Sequence, residues 1–327
     1  MKYNQLFEKF KGKRVLVIGD VMLDSYILGT VTRISPEAPV PIISLEKKDN
    51  RIGGAGNVAL NLKHLGAFPL IASVIGNDAE GQLLKTLFDK REISTQGLLI
   101  SSERKTTVKT RVISSKQQLL RIDSEDTHPL TENNESAFLA IIEQLLSKDV
   151  DAIIIEDYDK GVLNQQNIQQ IITLSNQLNI PVTADPKKEN FHHYSGLTLF
   201  KPNLKELKEG LNIKFNFEQE KENFELGVKQ LRNKIPHSIS LVTLSEHGVF
   251  ICDENESKYI LAHKREITDV SGAGDTVIAV ATLCLLAKAS LNDIAMISNI
   301  AGGMVCEKPG VVSITFDALK NEVNELL

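Results

Sequence analysis

Short runs of β-branched residues alternate with amphipathic segments over most of this chain, and this alternation limits the folds that it can adopt. The first run, Arg14–Asp20, is rich in β-branched residues and ends in a turn, which is typical of a buried strand. Strands that alternate with helices predict a mainly parallel sheet with helices on both faces, a three-layer α/β/α fold. Further strands are predicted over 70–75, 152–155, 182–184, 240–243 and 249–252, and helices over 55–65, 78–90, 165–176 and 203–209.

One segment interrupts the alternation and predicts a second, smaller sheet. Residues 105–113 and 117–122 are extended runs separated by Ser114-Ser115-Lys116, which is typical of a hairpin. Together with 22–30 and 40–45 they would form a sheet whose apolar face must be covered by substrate or by a second subunit. We therefore expect one domain over 1–327, with a β lid built from about residues 20–50 and 100–123.

Charge and composition exclude several classes of protein. Only 24% of the 327 residues are charged, the net charge is -5, and no basic block occurs, so a nucleic-acid partner is not expected. Residues 1–13 are polar, unlike a signal peptide, and no apolar run approaches the ~20 residues of a membrane helix. The three cysteines are far apart, which argues against a disulfide framework and a cysteine zinc site. We expect a cytoplasmic protein.

The segment Asp269–Thr276 is the most specific chemical signal in the chain. Its glycines precede an apolar run that predicts a helix, and the start of a helix binds anions through its unpaired amides and its dipole. Asp275 adds negative charge at that place, which suits a base that deprotonates a nucleophile attacking a phosphate. Alternatively, Asp275 only stabilises the first helical turn. This segment alone leaves both interpretations open.

A second glycine-rich segment, Gly53–Asn57, allows a competing interpretation. Gly54, Gly56 and Ala59 match the dinucleotide fingerprint, which would make the protein a nicotinamide or flavin oxidoreductase. That fingerprint should directly follow the first strand, however, and here it follows a polar segment. We therefore regard the oxidoreductase as the weaker alternative.

Carboxylates and an asparagine follow several of the predicted strands. At the carboxyl edge of a parallel sheet they would lie together and could hold a hydrated magnesium ion beside phosphate oxygens. The segments concerned are 156–161, 184–188 and 201–206, and Asn203 is also suited to cap a helix. Asp20 and Asp24 follow the first strand, where a carboxylate suits a ligand with neighbouring hydroxyls, such as a sugar. Asp20 is better suited to cap a turn than Asp24.

Taken together, Gly53–Asn57 and Asp269–Thr276 resemble the two signatures of the ribokinase-like (PfkB) carbohydrate kinases, and the resemblance covers nearly the whole chain. It implies a ribokinase-like fold and an ATP-dependent kinase that uses Mg²⁺ and, as in some relatives, K⁺. Four segments narrow the resemblance to the kinases of bacterial ADP-heptose synthesis: 19–24, 33–41, 117–123 and 201–206.

Those relatives convert D-glycero-β-D-manno-heptose 7-phosphate to the 1,7-bisphosphate, for the lipopolysaccharide core or an S-layer glycan. Another sugar kinase of this fold, acting on ribose, fructose or a sugar phosphate, is the alternative. A sugar-binding regulator without activity is a third interpretation, against which the intact Asp275 argues. Many of these relatives carry a C-terminal nucleotidyltransferase, and since this chain ends at Leu327 we expect that activity elsewhere.

The resemblance also implies roles for individual residues. Asp275 would deprotonate the sugar hydroxyl, and the amides of Gly272, Ala273 and Gly274 would form an anion hole. Asn203 and Glu206 would lie near magnesium, and Asp269 near a potassium ion. The implied nucleotide-binding residues are Asn203, Leu204, Lys205, Glu206, Ser245, Glu246, Gly248 and Asn299; the implied sugar contacts are Asp24, Gly53, Gly54 and Asn57.

A phosphorylated sugar also needs cations to bind its phosphate. Our hypothesis is that Arg33, Lys109, Arg111 or Arg121 supplies them from the lid, since arginine binds phosphate in a bidentate manner. Each of the four could instead be a solvated residue of the lid surface. From the resemblance, and from the need to cover the small sheet, we expect a homodimer formed through the lid.

Overall fold

The computed structural model describes residues 2–115 and 117–327. The strands in these ranges are β1 (Arg14–Gly19), β2 (Val21–Ile34), β3 (Pro41–Gly54), β4 (Phe68–Gly76), β5 (Leu98–Ser101), β6 (Val108–Ser114), β7 (Gln117–Ser124), β8 (Ala152–Glu156), β9 (Val182–Asp185), β10 (Leu197–Phe200), β11 (His237–Thr243), β12 (Val249–Cys252) and β13 (Ser257–Ile260). The helices are α1 (Lys2–Glu8), α2 (Ala55–His64), α3 (Ala79–Lys90), α4 (Glu132–Leu146), α5 (Gln165–Gln177), α6 (Leu204–Leu211), α7 (Lys221–Lys234), α8 (Ala273–Leu286), α9 (Leu291–Cys306) and α10 (Phe316–Leu326).

The apolar runs assemble into a nine-stranded sheet with the order β13-β12-β11-β10-β9-β8-β1-β4-β5. β1 pairs in parallel with β4 on one side and β8 on the other, and within the described residues β12 is the strand that runs antiparallel to its neighbours. One apolar cluster lies on each face, the first under α2, α8 and α9 and the second under α4, α5 and α7. The predicted three-layer α/β/α fold is therefore confirmed.

The predicted second sheet is also present, with the strand order β3-β2-β6-β7. β2 pairs antiparallel with β3 and parallel with β6, and β6 and β7 form the predicted hairpin. Lys116, in the predicted turn of that hairpin, lies outside the described residues. We call these four strands the lid.

The two faces of the lid differ in chemistry. Asp24 and Tyr26 are buried on one face, where the Tyr26 hydroxyl accepts a hydrogen bond from the amide of Val311 in the main body. The opposite face starts in the core at Leu23 and continues outward to exposed apolar side chains of β7. The polar face of the lid thus closes against the carboxyl edge of the main sheet. Among the described helices, none has both the length and the apolar composition that a bilayer crossing requires.

Candidate active site

Helix α8 begins in a glycine-rich loop at the carboxyl edge of the main sheet. Gly272 is its N-cap residue and has a φ of 80°, in the left-handed region that favours glycine. The amides of the first turn therefore stand at the positive end of the helix dipole, where an anion is stabilised. Behind this turn the helix is buried from Asp275 to Cys284, so its start is fixed by the core.

Asp275 lies in this first turn, with 2% of its surface exposed. Its Oδ1 accepts a hydrogen bond from the hydroxyl of Tyr158 at 2.6 Å, and its Oδ2 accepts one from Nδ2 of Asn57 at 2.7 Å. Burial raises the pKa of Asp275, whereas the two donors stabilise its ionised form and act in the opposite direction. A carboxylate has about four lone-pair positions, so it can still accept a third donor.

The two glycine-rich helix starts pack against each other, since α2 lies beside α8. β3 runs into Gly53 and Gly54 immediately before α2. A Cβ at Gly53 would lie 2.0 Å from a carboxylate oxygen of Asp24, so the two lid strands can approach this closely only without a side chain there. The fold brings together these predicted sugar contacts and the predicted base: Asp24, Gly53, Gly54, Asn57 and Asp275.

Asp20 holds the loop that carries Tyr158. Its buried carboxylate accepts hydrogen bonds from the amides of Tyr158 at 2.8 Å, Lys160 at 3.2 Å and Val162 at 3.3 Å. Burial and the neighbouring Asp157 raise the pKa of Asp20 to about 7. Of its two predicted roles, Asp20 therefore has the structural one of fixing a turn.

Two lysines and three carboxylates meet at the ends of β8, β9 and β10. Nζ of Lys201, which is 2% exposed, lies 2.8 Å from Oδ2 of Asp185. Nζ of Lys187 lies 2.7 Å from Oε1 of Glu206, and Asp185 and Glu206 raise the pKa of Lys187 although burial alone would lower it. Glu156 is fully buried, and burial and Asp185 raise its pKa well above its usual value, which favours its neutral form.

This cluster adjoins the start of α8. A Cβ at Gly274 would lie 3.3 Å from Oδ2 of Asp185 and 3.6 Å from Nζ of Lys201. The ion pair of Asp185 and Lys201 therefore stands next to the anion-binding turn, and Lys187 is close enough to favour the ionised form of Asp275.

Asn203 and Glu206 form the N-terminal cap of α6. Oδ1 of Asn203 accepts the amide of Glu206, and Oε2 of Glu206 accepts the amide of Asn203, each at 2.8 Å. The helix-cap interpretation of Asn203 is thus observed. Oε1 of Glu206 faces Lys187. Within 2–115 and 117–327, no three His, Cys, Asp or Glu side chains are arranged to hold a metal by themselves.

A cavity of about 560 Å³ opens beside the start of α8. Four of the predicted nucleotide-binding residues line it together with two residues of the anion-binding turn. They are Ser245, Glu246, Gly248, Asn299, Ala273 and Gly274. Leu204 packs against the second apolar cluster, and the side chain of Lys205 is 81% exposed, so neither lines this cavity. A larger groove of about 950 Å³ between α4 and α5 contains none of the predicted site residues.

The four predicted phosphate-binding cations occupy different parts of the lid. Arg111 forms an ion pair with the buried carboxylate of Asp24. Lys109 is also largely buried, 3.2 Å from a carboxylate oxygen of Glu125. Arg121 is half-exposed on β7, and Arg33 is exposed near the outer end of β2. Lys109 and Arg111 are therefore the two that lie beside the predicted sugar contacts.

A fifth cation, Arg51, joins the lid to the main body. Its Nη1 donates hydrogen bonds to the carbonyls of Pro309 at 3.2 Å and Val311 at 3.0 Å, and its guanidinium lies 4.7 Å from the ring centre of Tyr26. The nearby carboxylate of Asp269 accepts the amide of Gly310 at 2.9 Å. Although burial opposes it, this bond and one from Ser271 hold the pKa of Asp269 below its usual value.

Comparison with known proteins identifies the family. Residues 13–317 match the model of the pfkB family carbohydrate kinases. The chain belongs to the pfkB family of carbohydrate kinases. The predicted family is confirmed and the oxidoreductase interpretation is wrong, because the glycine fingerprint follows a lid strand instead of β1. Membership implies ATP and a divalent metal as cofactors.

Among curated relatives, two proteins named "Bifunctional protein HldE" are similar over 94% of this chain. That of Aliarcobacter butzleri is 40% identical over 310 residues, and that of Campylobacter jejuni is 40% identical over 308 residues. This chain spans 64% of the length of each.

Solved pfkB-fold structures superpose over nearly the whole chain. Phosphofructokinase-2 from Escherichia coli in complex with potassium has a TM-score of 0.79 at 20% identity, covering 96% of this chain and 99% of that one. Ribokinase from Arabidopsis thaliana complexed with ribose and ATP has a TM-score of 0.71 at 16% identity, covering 95% and 99%. At this identity the likeness establishes the fold.

Three site residues were not predicted as functional from the sequence. Tyr158, Lys187 and Lys201 each follow an apolar run, within segments in which only the carboxylates and an asparagine indicated a function. Their position at the carboxyl edge was the available signal, but it does not tell which of several polar side chains turns toward the cleft.

Proposed function

We propose that this chain transfers the terminal phosphoryl group of ATP to O1 of D-glycero-β-D-manno-heptose 7-phosphate and forms the 1,7-bisphosphate for ADP-heptose synthesis. The observation that carries the proposal is Asp275, held by Tyr158 and Asn57 where α8 begins beside the cavity and the lid. Family membership supports the kinase chemistry. The segments that resemble heptose-phosphate kinases support the sugar.

In this proposal Asp275 is the general base. The sugar hydroxyl gives its proton to Asp275 while its oxygen attacks the γ-phosphorus, and ADP leaves with the electrons of the broken P–O bond. The amides of Gly272, Ala273 and Gly274 stabilise the charge that develops on the transferred group. Lys201 adds positive charge beside this turn, and Lys187 favours the ionised form of Asp275.

The nucleotide occupies the 560 Å³ cavity in this scheme, with Ser245, Glu246, Gly248 and Asn299 around it. A divalent ion would neutralise part of the charge of the triphosphate. Glu206 and Asn203 would hold such an ion through the lone pairs that the cap bonds and Lys187 leave free, since Mg²⁺ needs only one or two protein oxygens beside water and phosphate. The carbonyl of Asp269 is proposed to help hold a potassium ion. Leu204 and Lys205 would act only through the placement of α6.

The sugar lies between the lid and α2 in this scheme, against Asp24, Gly53, Gly54 and Asn57. Lys109 and Arg111 are the better placed of the four candidate cations to receive its phosphate, because they are partly buried beside Asp24. Buried cations with acidic partners can exchange those partners for a phosphate that brings more charge. Arg33 and Arg121 are left for the outer part of the lid. We propose that the opposite, apolar face of the lid, which includes Leu120 and Ile122, forms a dimer.

The proposal is tested by incubating the protein with ATP and Mg²⁺ and four acceptors: heptose 7-phosphate, ribose, fructose and fructose 6-phosphate. We expect the highest kcat/KM for heptose 7-phosphate, with the new phosphate on O1 by ³¹P NMR. A preference for ribose or fructose would contradict the sugar assignment but keep the kinase. If ATP is consumed with none of the four acceptors, both the heptose phosphate and the alternative sugar substrates are contradicted.

A further inference from the structure

The base of the proposed reaction is held by a tyrosine that the sequence signatures do not include. Tyr158 follows β8, and its hydroxyl is 2.6 Å from Oδ1 of Asp275. Burial and the charge of Asp275 raise the pKa of Tyr158 well above its usual value, so this hydroxyl keeps its proton and remains a donor. A hydroxyl that bonds to a buried carboxylate stabilises the charged form of that carboxylate.

Tyr158 is held rigidly in place. Its amide and those of Lys160 and Val162 are bound by the buried carboxylate of Asp20. The ammonium group of Lys187 lies 5.2 Å from the centre of its ring. Because both the backbone and the ring are fixed, the hydroxyl has little freedom to leave Asp275.

Other charged groups around Asp275 oppose one another. Asp185, at the end of β9, disfavours its negative charge, and Glu156, at the end of β8, would do the same when ionised. Lys187 favours that charge, and Lys201 lies beside the same helix turn. Burial is the largest influence and disfavours ionisation. The direct donors, Tyr158 and Asn57, are therefore the largest influences that favour the ionised form of Asp275.

We propose that Tyr158 is a positioning residue that keeps Asp275 ionised and leaves its remaining lone pairs directed to the sugar hydroxyl. The inference rests on the proposed role of Asp275 as the base. Tyr158 itself gives up no proton in the reaction. It accepts none either, because the proton of the sugar passes to Asp275.

The test is Tyr158→Phe, which removes the hydroxyl and keeps the ring. Loss of a hydrogen bond to a charged group corresponds to a shift of about 1–2 pH units. We expect the acidic limb of the pH profile of kcat/KM to move upward by that amount. The difference in kcat/KM between wild type and variant should become smaller as the pH rises, because the base of the variant is then ionised and, with its higher pKa, is the stronger base. A loss of activity that is equal at every pH would overturn the inference.

Tyr194→Phe is the matched control. The hydroxyl of Tyr194 donates to Oδ2 of Asp157 at 2.7 Å, at the same edge of the sheet, but Asp157 is not the proposed base. This variant also removes a buried tyrosine–aspartate bond, so it reproduces any general loss of stability. We expect its pH profile to match that of the wild type. An equal shift in both variants would show that the shift does not come from Asp275.

A second measurement does not require activity. In protein labelled with ¹³C at the aspartate carboxyl carbons, the signal of Asp275 is assigned by its absence in Asp275→Asn. We expect its titration midpoint to be higher in Tyr158→Phe than in the wild type by about 1–2 pH units. An unchanged midpoint would overturn the inference, whatever the activity. A wild type that phosphorylates no sugar would overturn the proposed function, while this titration would still decide the role of Tyr158.

Discussion

At the scale of single residues, the contacts of Asp275 bear on both interpretations that its sequence position allows. In the described part of the chain, its carboxylate accepts hydrogen bonds from side chains of two other segments, Asn57 of α2 and Tyr158 after β8. These donors lie 218 and 117 positions away along the chain, and any buried carboxylate needs such partners. The catalytic role of Asp275 stays a proposal, which the two contacts support because they orient the carboxylate.

Asp275→Asn keeps the size of the side chain and removes the proton acceptor. We expect kcat to fall by roughly 10²–10⁴-fold, the usual contribution of a positioned general base. ATP affinity should be nearly unchanged, since the amides of the α8 turn remain. Steady-state kinetics and calorimetric titration with ATP measure the two effects separately. Near-normal turnover would exclude Asp275 as the base.

The residues that sequence reasoning did not find share one property. Lys201 and Lys187 are held by Asp185 and Glu206, which come from the ends of other strands or from the start of α6. A pattern along the chain predicts which residues follow a strand, but these ion pairs depend on which strands are neighbours. The order β10-β9-β8 is a property of the folded sheet.

At the scale of elements, strongly patterned segments were predicted best. β12 has the predicted bounds, and β1 and α2 each end within one residue of the prediction. Helix α7 was not predicted, because its sequence is mostly charged or polar and only Phe224, Gly227, Val228 and Leu231 are buried. β2 extends four residues beyond its prediction because irregular pairing near Gly29 and Arg33 lets it follow β3 further.

The start of α8 depends on the conformation of Gly272. A Cβ there would lie 2.8 Å from Nδ2 of Asn57, the atom that donates to Asp275. We expect Gly272→Ala to lose about 1–2 kcal/mol of stability through its left-handed backbone. It should also lose activity, because Asn57 is displaced. Urea unfolding measures the loss of stability, and kcat measures the loss of activity.

Gly12→Ala provides the control for this helix start. Gly12 has a φ of 75°, close to that of Gly272, and a Cβ there would contact nothing within 4 Å. We expect a similar loss of stability with normal kcat. If Gly12→Ala lost as much activity as Gly272→Ala, general destabilisation would explain both, and the displacement of Asn57 would not.

At the scale of the whole molecule, His237 links global stability to pH. It is 9% exposed, its Nε2 lies 2.6 Å from Oγ of Ser240, and burial lowers its pKa to about 4. The unfolded chain therefore binds the proton first, near pH 6.5, and the folded state loses stability as the pH falls from there to about 4. The full effect is roughly 3 kcal/mol, a sizeable part of a typical domain's stability.

His237→Gln tests this dependence, since glutamine cannot gain the proton. We expect the variant to be less stable at pH 7.5, because it loses packing, but to lose less further stability on acidification to pH 5. Carboxyl groups with a raised pKa, such as Asp159 at about 6, make the folded state more stable as the pH falls, and they do so in both proteins. The difference between the two proteins in the stability lost on acidification therefore comes from His237. Urea unfolding at the two pH values measures it. Equal losses in both proteins would contradict the prediction.

The outer face of the lid carries Leu120 and Ile122 with 54% and 50% of their surfaces exposed. They lie two residues apart on β7 and so share a face, next to Val112 and Thr110 of β6. Fully burying each such side chain is worth about 1.5–3 kcal/mol, which favours association through this face.

We expect the wild type to have the mass of a dimer by light scattering and the double variant Leu120→Glu, Ile122→Glu that of a monomer. Leu226→Glu is the control, because Leu226 is 63% exposed on α7, away from the lid, and its substitution should leave the mass unchanged. A monomeric wild type would exclude the lid dimer, and the apolar face would then have to be covered by another protein or remain in contact with water.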